Sequence, residues 1–436
     1  MRGSRSMGRR QFLAVTGTAA AGLALPTFLP RALSAPANER LATGHVGVGG
    51  RGGWLLGQAL ANRGISVAVV CDVDANRLVE ARKRVEKAGQ RADACTDFRR
   101  LLDRGDIDAV VVATPDHWHA GVTIGACRAG KDVYVEKPLC HNIAEGRAMV
   151  RAAREHRRMV QVGINHRSEP YTREIARIIR GGRIGKVHLV KNWMWENKSA
   201  PRTPPRSPPV ELDWDFWLGP APKVPYHPQR AHFNFRWCRD HAGGYMTDWG
   251  VHMLNVVTFA MDADLTGPVL VEASGEFQED NLYDFPMKME ARWEFEEPKF
   301  TLTWTQPSGG GDVLPGEKYG MTFYGEDGQL RTGFGDGKVK FYRDGREAPL
   351  PREGRAADVP HSPGHLENWL ESIKSRKPPI ADVEIGHRTT SICLLANAVL
   401  FSGERKLRWD WRKEEFPGDA QANRWLSRAP RDAYRA

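Results

Sequence analysis

The sequence predicts two domains in series: a doubly wound α/β domain on a parallel sheet, then an α+β domain on an open, mostly antiparallel sheet. Three observations carry this. A chain of 436 residues exceeds what one ordinary core holds. Over residues 43–163, short apolar runs alternate with amphipathic helical stretches, the pattern of parallel strands joined by helical crossovers. After Gly163 the alternation stops, and residues 269–342 read as strands in succession.

In the first domain, His45–Val48 is a strand, followed by a glycine-rich turn and a helix to about Asn62. Ile65–Cys71 is the second strand and Ala75–Ala88 a charged helix. Ile107–Ala113, apolar almost throughout, suits a strand buried on both faces. A helix over 119–129, a strand at Asp132–Val135, a helix over 143–156 and a strand at Met159–Gly163 complete the unit. The second domain, 164–402, opens with a helix over Tyr171–Arg180 and a strand at Val187–Glu196, then a proline-rich ordered loop over 200–228. A helix starts near Gly244. Strands follow at Val269–Phe277, Lys288–Phe295, Phe300–Gln306, Tyr319–Tyr324, Gly328–Arg331 and Lys338–Tyr342. Helices near His365–Ser375 and Glu384–Ser402 close the domain and leave 403–436 as a C-terminal tail.

The formal net charge is +10, but Arg2, Arg5, Arg9, Arg10 and Arg31 lie in residues 1–37 with no acid, leaving +5 beyond them. No helix face gathers a basic run, so no nucleic-acid partner is expected. Arg9-Arg10 precede Gln11-Phe12-Leu13, a weakly hydrophobic Ala/Gly run extends to Leu25, and Ala35-Pro36-Ala37 fits an A-x-A cleavage site. That order reads as a twin-arginine signal peptide over 1–37. It implies the twin-arginine export machinery as a partner and a periplasmic or extracellular destination. The apolar run is too short to span a bilayer stably. Six cysteines make no C-x-x-C pair and no zinc spacing; Cys71 and Cys127 fall in apolar elements and read as buried free thiols, with a disulfide left open.

Gly47-Val48-Gly49-Gly50-Arg51-Gly52 satisfies G-x-G-x-x-G, with a strand before it and a helix after it. Gly47, Gly49 and Gly52 allow a tight turn, and with Gly50 and Arg51 bring backbone N–H groups to a pyrophosphate at a helix N-terminus. Asp72 ends the next strand, where its carboxylate accepts from adenosine ribose hydroxyls and repels a 2′-phosphate; the cofactor expected is NAD rather than NADP, although Arg77 softens the preference. The fold is therefore of the Rossmann type. A second signature, Thr114-Pro115-Asp116-His117-Trp118-His119, leaves the 107–113 strand at the edge where ligands sit. Thr114, Pro115, His117, Trp118 and His119 are expected at the cofactor, with Trp118 walling the nicotinamide. His117 and His119 lack a third ligand of suitable spacing, so no metal is expected.

Glu136-Lys137-Pro138 ends the next strand at the same edge. A Lys there reaches a ribose hydroxyl and a substrate oxygen, and its charge stabilises oxyanion character as hydride leaves carbon; a surface Glu–Lys pair is the bland alternative. In Gly243-Gly244-Tyr245-Met246-Thr247-Asp248-Trp249-Gly250-Val251-His252, Asp248 and His252 stand four apart and share a helix face with Asn255. Met246, Trp249, Met253, Val256 and Ala260 form the opposite, apolar face. A His beside a carboxylate suits proton transfer from a hydroxyl; a solvated polar face is the alternative.

Taken together, these motifs resemble the family of glucose–fructose oxidoreductase, inositol dehydrogenase and rhizopine catabolism proteins (Gfo/Idh/MocA), over about residues 43–402. The resemblance implies that Lys137 contacts nicotinamide ribose and substrate, that Asp248 and His252 orient the substrate with His252 as acid/base, and that the Lys137–Pro138 bond is cis. It also implies His166 and Arg167 as substrate contacts, a carbohydrate or cyclic polyol as substrate, and a homo-oligomer. Trp193, Trp195 and Trp237 are expected to stack on a sugar ring, with core packing as the alternative. Two uses of the same parts stay open: net dehydrogenation with exchanging NAD, or retained NAD recycled within a turnover by transhydrogenation, elimination, epimerisation or glycoside cleavage.

Overall fold

Short runs of Val, Ile and Ala build the first sheet of the computed structural model, which describes residues 40–307, 319–333, 337–352, 357–403 and 406–432. The expected signal peptide lies outside the described residues. Elements in order are β1 (Leu41–Val46), α1 (Gly50–Ala61), β2 (Ile65–Cys71), α2 (Ala75–Lys87), β3 (Asp93–Cys95), α3 (Phe98–Leu102), β4 (Ala109–Val112), α4 (Asp116–Arg128), β5 (Asp132–Val135), α5 (Ile143–Glu155) and β6 (Val160–Val162). Among the described residues they form a six-stranded parallel sheet in the order β3-β2-β1-β4-β5-β6. The winding direction reverses between β1 and β4, so the loops that leave their ends diverge and open a cleft. Strands β4 and β5 are buried at every position, as strands covered on both faces must be.

The second domain comprises α6 (Pro170–Arg180), β7 (Leu189–Trp193), α7 (Trp214–Leu218), α8 (Gly244–Asp248), α9 (Gly250–Ala260), β8 (Leu270–Glu276), β9 (Lys288–Glu296), β10 (Lys299–Gln306), β11 (Gly320–Gly325), β12 (Gly328–Gly333), β13 (Val339–Arg343) and β14 (Arg346–Ala348). The chain closes with α10 (His365–Ser375), α11 (Val383–Ser402), β15 (Lys406–Arg408) and α12 (Ala420–Asn423). Among the described residues a nine-stranded sheet runs β14-β13-β12-β11-β7-β10-β9-β8-β15. Its β7–β10 ladder is parallel and the other ladders are antiparallel. Residues alternate strictly along β9, where Met289, Ala291, Trp293 and Phe295 point inward, and Trp293 Nε1 donates to Ile392 O of α11 at 3.1 Å.

Three features depart from the sequence reading. The segment after 402 is part of the sheet: β15 pairs with β8, and Trp409 and Phe416 are buried. Helix α10 returns to the first domain, where Trp369 packs against Leu55, Ala109, Val111 and Tyr134. Its period is that of any amphipathic helix, so the sequence shows a face but not which sheet it covers. The helix expected from Gly244 breaks at Trp249 into α8 and α9, and α9 is buried on all sides rather than on one. Among the described residues no helix is long and apolar enough to cross a membrane.

Replacing Trp369 with Ala empties a fully buried site between α10 and the parallel sheet. It should cost about 3–5 kcal/mol of stability, read by urea unfolding; a loss within experimental error would mean that α10 does not cover the sheet.

Candidate active site

The turn after β1 is shaped by what its glycines exclude. Gly47 has φ +80°, and a Cβ on Gly52 would lie 1.9 Å from the Gly47 carbonyl oxygen. A Cβ on Gly49 would meet the Arg77 guanidinium at 2.4 Å, so Arg77 lies across the turn. Helix α1 begins at Gly50 with no side-chain cap, which leaves its first N–H groups directed at the cleft as an anion site. Asp72 follows β2; its Oδ2 accepts from Val48 N at 2.9 Å and its Oδ1 from Asp74 N at 3.1 Å. Burial raises its pKa, against the pull of Arg77 and those two N–H groups. Gly47, Gly49, Gly50, Arg51, Asp72, Thr114, Pro115, Glu136 and Lys137 all line one cleft of about 460 Å³. Thr114 Oγ1 is buried there with no protein partner among the described residues. An uncapped helix end, a turn that no Cβ could enter and an orphaned hydroxyl fit a dinucleotide.

The second domain roofs this cleft. Ala75 N donates to Glu211 O at 2.9 Å, Asp213 N to Val73 O at 3.1 Å, and His232 Nε2 lies 2.9 Å from Asp74 Oδ2. The proline-rich loop is thereby stitched across the turn after β2, and Phe216, Trp217, His232, Phe235 and Arg236 form the opposite wall. The Thr-Pro-Asp-His-Trp-His residues divide between cleft and roof. Trp118, expected to wall the nicotinamide, lines the cleft and packs against Phe98 and Phe216 at ring distances of 5.4 and 5.3 Å. Its Nε1 donates to Trp217 O at 3.0 Å. His117, expected at the cofactor, turns away: it lies 3.0 Å from Trp217 O and stacks near His241, and burial lowers its pKa to about 3. His119 bridges the carbonyls of Pro138 (2.7 Å) and Thr114 (2.9 Å), holding the cofactor-facing loops rather than lining the cleft. The structural reason is the start of α4 at Asp116, which sets these side chains in its first turn and aims two of them inward.

The Lys137–Pro138 peptide bond is cis. Lys137 Nζ donates to Asp248 O at 2.6 Å and to Asp248 Oδ1 at 2.7 Å, and Arg236 lies 3.0 Å from the same carboxylate. Burial opposes ionisation of Asp248, but Lys137 and Arg236 outweigh it and hold the carboxyl below its ordinary range. Glu136 accepts from Arg51 Nε at 2.7 Å and from Lys137 N at 3.2 Å. A Cβ on Gly163 would meet that carboxylate at 2.9 Å, so the glycine after β6 makes room for it.

His252 is buried in α9, its ring 4.8 Å from His166 and 6.1 Å from Trp249. Burial, then the charges of Lys137 and His166, depress its pKa well below the ordinary value, so the ring is neutral at neutral pH. His166 Nδ1 lies 2.8 Å from Tyr171 Oη, and burial lowers its pKa to about 4. Arg167, expected to touch substrate, does not: it is wholly buried, ion-paired with Asp264 and donating to Asn255 Oδ1 at 2.6 Å, with Phe259 beneath it. Trp193 and Trp237 are core residues, not stacking platforms. Trp195 is half-buried and makes an aromatic corner with Trp249 and Tyr319 at 5.7 and 4.9 Å. Among the described residues no three His, Cys, Asp or Glu side chains gather as metal ligands.

Asp116 and Arg236 line the cleft without having been singled out from the sequence. Asp116 stood inside the motif, between residues chosen for their rings. It is nearly buried, and burial, then the neighbouring Asp248, pushes its carboxyl up to about 8 against Lys137 and Arg236. Arg236 had no sequence signal, since it arrives from the long loop.

Residues 41–164 match the NAD-binding Rossmann fold of an oxidoreductase family (Gfo/Idh/MocA), and residues 183–295 match that family's C-terminal α/β domain. The chain belongs to this oxidoreductase family. Among its relatives are a glycosyl hydrolase family 109 protein of Saccharopolyspora erythraea, 33% identical over 35% of this chain and 34% of that one, and inositol 2-dehydrogenase of Salmonella typhimurium, 31% identical over 37% and 48%. The matches thus span about a third to a half of these relatives' length. The structure of levoglucosan dehydrogenase in complex with NADH and L-sorbose superposes with a TM-score of 0.63 at 17% identity, over 85% of this chain and 99% of that one, and shows the shared fold. The family's NAD-binding domain is here the six-stranded half, and its partner is the mixed, mostly antiparallel half.

Two outcomes follow from this geometry. Gly52→Ala forces a methyl group onto the Gly47 carbonyl and should abolish saturable NADH binding in a fluorescence titration while the far-ultraviolet spectrum is kept; unchanged affinity would remove the turn from the cofactor site. Asp116, with a folded pKa near 8 against an ordinary carboxylate value of 3.8, binds more protons in the folded state, so its contribution to stability falls as pH rises through that window. Asp116→Asn should therefore flatten the decline in Tm between about pH 4 and pH 8; parallel Tm profiles for the two proteins would contradict the shift.

Proposed function

We propose that the chain is an exported, NAD-dependent oxidoreductase that moves hydride between a secondary hydroxyl of a sugar or cyclic polyol and the nicotinamide ring. The observation that carries the reading is the buried Lys137–Asp248 pair in a cleft shaped for a dinucleotide, with His252 and its lowered pKa on the neighbouring helix α9. Relatives named for inositol and levoglucosan as substrates support the substrate class. Export through the twin-arginine pathway, a periplasmic or extracellular destination and assembly with copies of itself rest on the N-terminal pattern and the family resemblance.

When bound, NAD supplies the hydride acceptor. Gly47, Gly49 and Gly52 and the α1 terminus would hold its phosphates, and Asp72 would hold its adenosine ribose. Lys137 has three N–H donors, two of them on Asp248, and turns the third to the substrate oxygen. Its charge favours the alkoxide as the carbinol hydrogen departs. His252 takes the hydroxyl proton, for which its neutral ring is ready. Asp248 positions Lys137 through its hydrogen bonds to it.

A second reading, in which NAD stays bound and is recycled within each turnover, is favoured by the roof over the adenosine end. The three contacts between residues 73–75 and residues 211–232 must open before the nucleotide leaves. Added NAD consumed in proportion to product supports net dehydrogenation; product without NAD consumption supports recycling.

Lys137→Ala should lower kcat at least about 100-fold, with the fold kept by circular dichroism; undiminished turnover overturns the proposed role. Because burial lowers the His252 pKa, the neutral, proton-accepting ring persists below the ordinary value of 6.5. The rate of sugar oxidation should accordingly stay level as pH falls through 6.5 and drop only lower; an inflection at 6.5 would contradict His252 as the base.

A further inference from the structure

Cys71 is the last residue of β2 and Cys95 the last residue of β3, and these parallel strands place the two opposite one another in register. Directly paired residues leave the same face of a sheet from strands about 4.8 Å apart, a separation that a disulfide spans. The register sets the two thiols beside one another across the β2–β3 ladder. Nearness to Cys95, with burial, raises the Cys71 thiol well above its ordinary pKa, and nearness to Cys71 holds the Cys95 thiol below its own. Cys71 is buried, whereas Cys95 is half-exposed on the edge strand, where a small oxidant reaches it. Cys127, Cys140, Cys238 and Cys393 are all buried, and none of them faces another cysteine in a strand ladder.

The pair sits against the adenosine end of the cleft. The residue after Cys71 is Asp72, whose N–H donates to the Cys95 carbonyl at 3.3 Å. Thr96 and Phe98, just beyond Cys95, line the cleft, as does Cys71 itself. Strand β3 is otherwise held by three paired residues at the sheet's edge.

We propose that Cys71 and Cys95 are a redox pair that closes to a disulfide under oxidising conditions and fixes the edge strand beside the ribose-reading Asp72. The oxidant is a small disulfide. The Cys95 thiolate attacks one of its sulfurs and expels the other half as a thiolate. Cys71 then gives up its proton, attacks the Cys95 sulfur and expels the second half. Two protein thiols are oxidised and one external disulfide is reduced to two thiols, so atoms and electrons balance. Delivery to an oxidising compartment is where the bond would form and last.

The test uses the folded protein and oxidised glutathione, followed by denaturation, alkylation of remaining thiols, digestion and mass spectrometry. A cross-linked Cys71–Cys95 peptide should appear, with two glutathiones released per chain and a Tm a few degrees above that of the reduced protein. In Cys95→Ser the cross-link and the rise in Tm should both be missing. Alkylation of both thiols after oxidation, or glutathione left on Cys95 in the wild type, would overturn the proposal. Neither readout uses turnover, so a failure of the sugar-oxidation reading and a failure of this one are told apart.

Discussion

Lys137 leaves the end of β5 in one domain, Asp248 ends α8 in the other, and 2.7 Å separates their charged atoms. Taking two such charges out of water costs several kcal/mol each, and their attraction offsets that only when the remaining hydrogen-bonding positions are filled. Here two of the three Lys137 donors are taken by Asp248. One of them goes to the Asp248 carbonyl, and Arg236 supplies a second cation to the carboxylate. The pair therefore requires the two domains to meet at one fixed separation. The same separation sets the proline-rich loop against the turn after β2.

The rest of the molecule supplies that fixity. Helix α10 crosses back to cover the parallel sheet, and α11 packs under the second sheet. Arg147 on α5 binds Glu384 on α11 and Glu414 in the closing segment, where His387 and Arg388 also converge. This network ties the first domain to the C-terminal residues at a second point. A single bridge would allow rotation about itself, whereas two separated bridges do not.

How much of this the sequence disclosed depended on the range of the interaction. The glycine turn, Asp72 and the strand pattern were legible because their causes are local: positive φ, a missing Cβ, a two-residue period. Edge strand β3 was not, since its three residues, Asp93, Ala94 and Cys95, carry no apolar run. Lys137, Asp248 and His252 were found by motif, and the structure joins Lys137 to Asp248. Arg167 was expected at the substrate because nothing in Asn165-His166-Arg167 foretells that Asp264, nearly a hundred residues on, takes it into the core. His117 and His119 show the same limit: their chemistry was visible, but their direction depended on α4 starting at Asp116 and on a carbonyl contributed by Trp217. Arg236 and the roof belong to a loop whose prolines announce irregular structure without saying where it lands.

The central claim is that the Lys137–Asp248–His252 arrangement performs hydride transfer to a nicotinamide from a sugar or polyol hydroxyl. It is tested most directly by the near-ultraviolet absorbance of the purified, NAD-loaded protein as a panel of sugars and cyclic polyols is added. The account predicts that the reduced-nicotinamide band rises with at least one of them, stoichiometric with protein if NAD is retained and in excess of it if NAD exchanges. No band with any compound, from protein whose cleft demonstrably holds NAD, would contradict it.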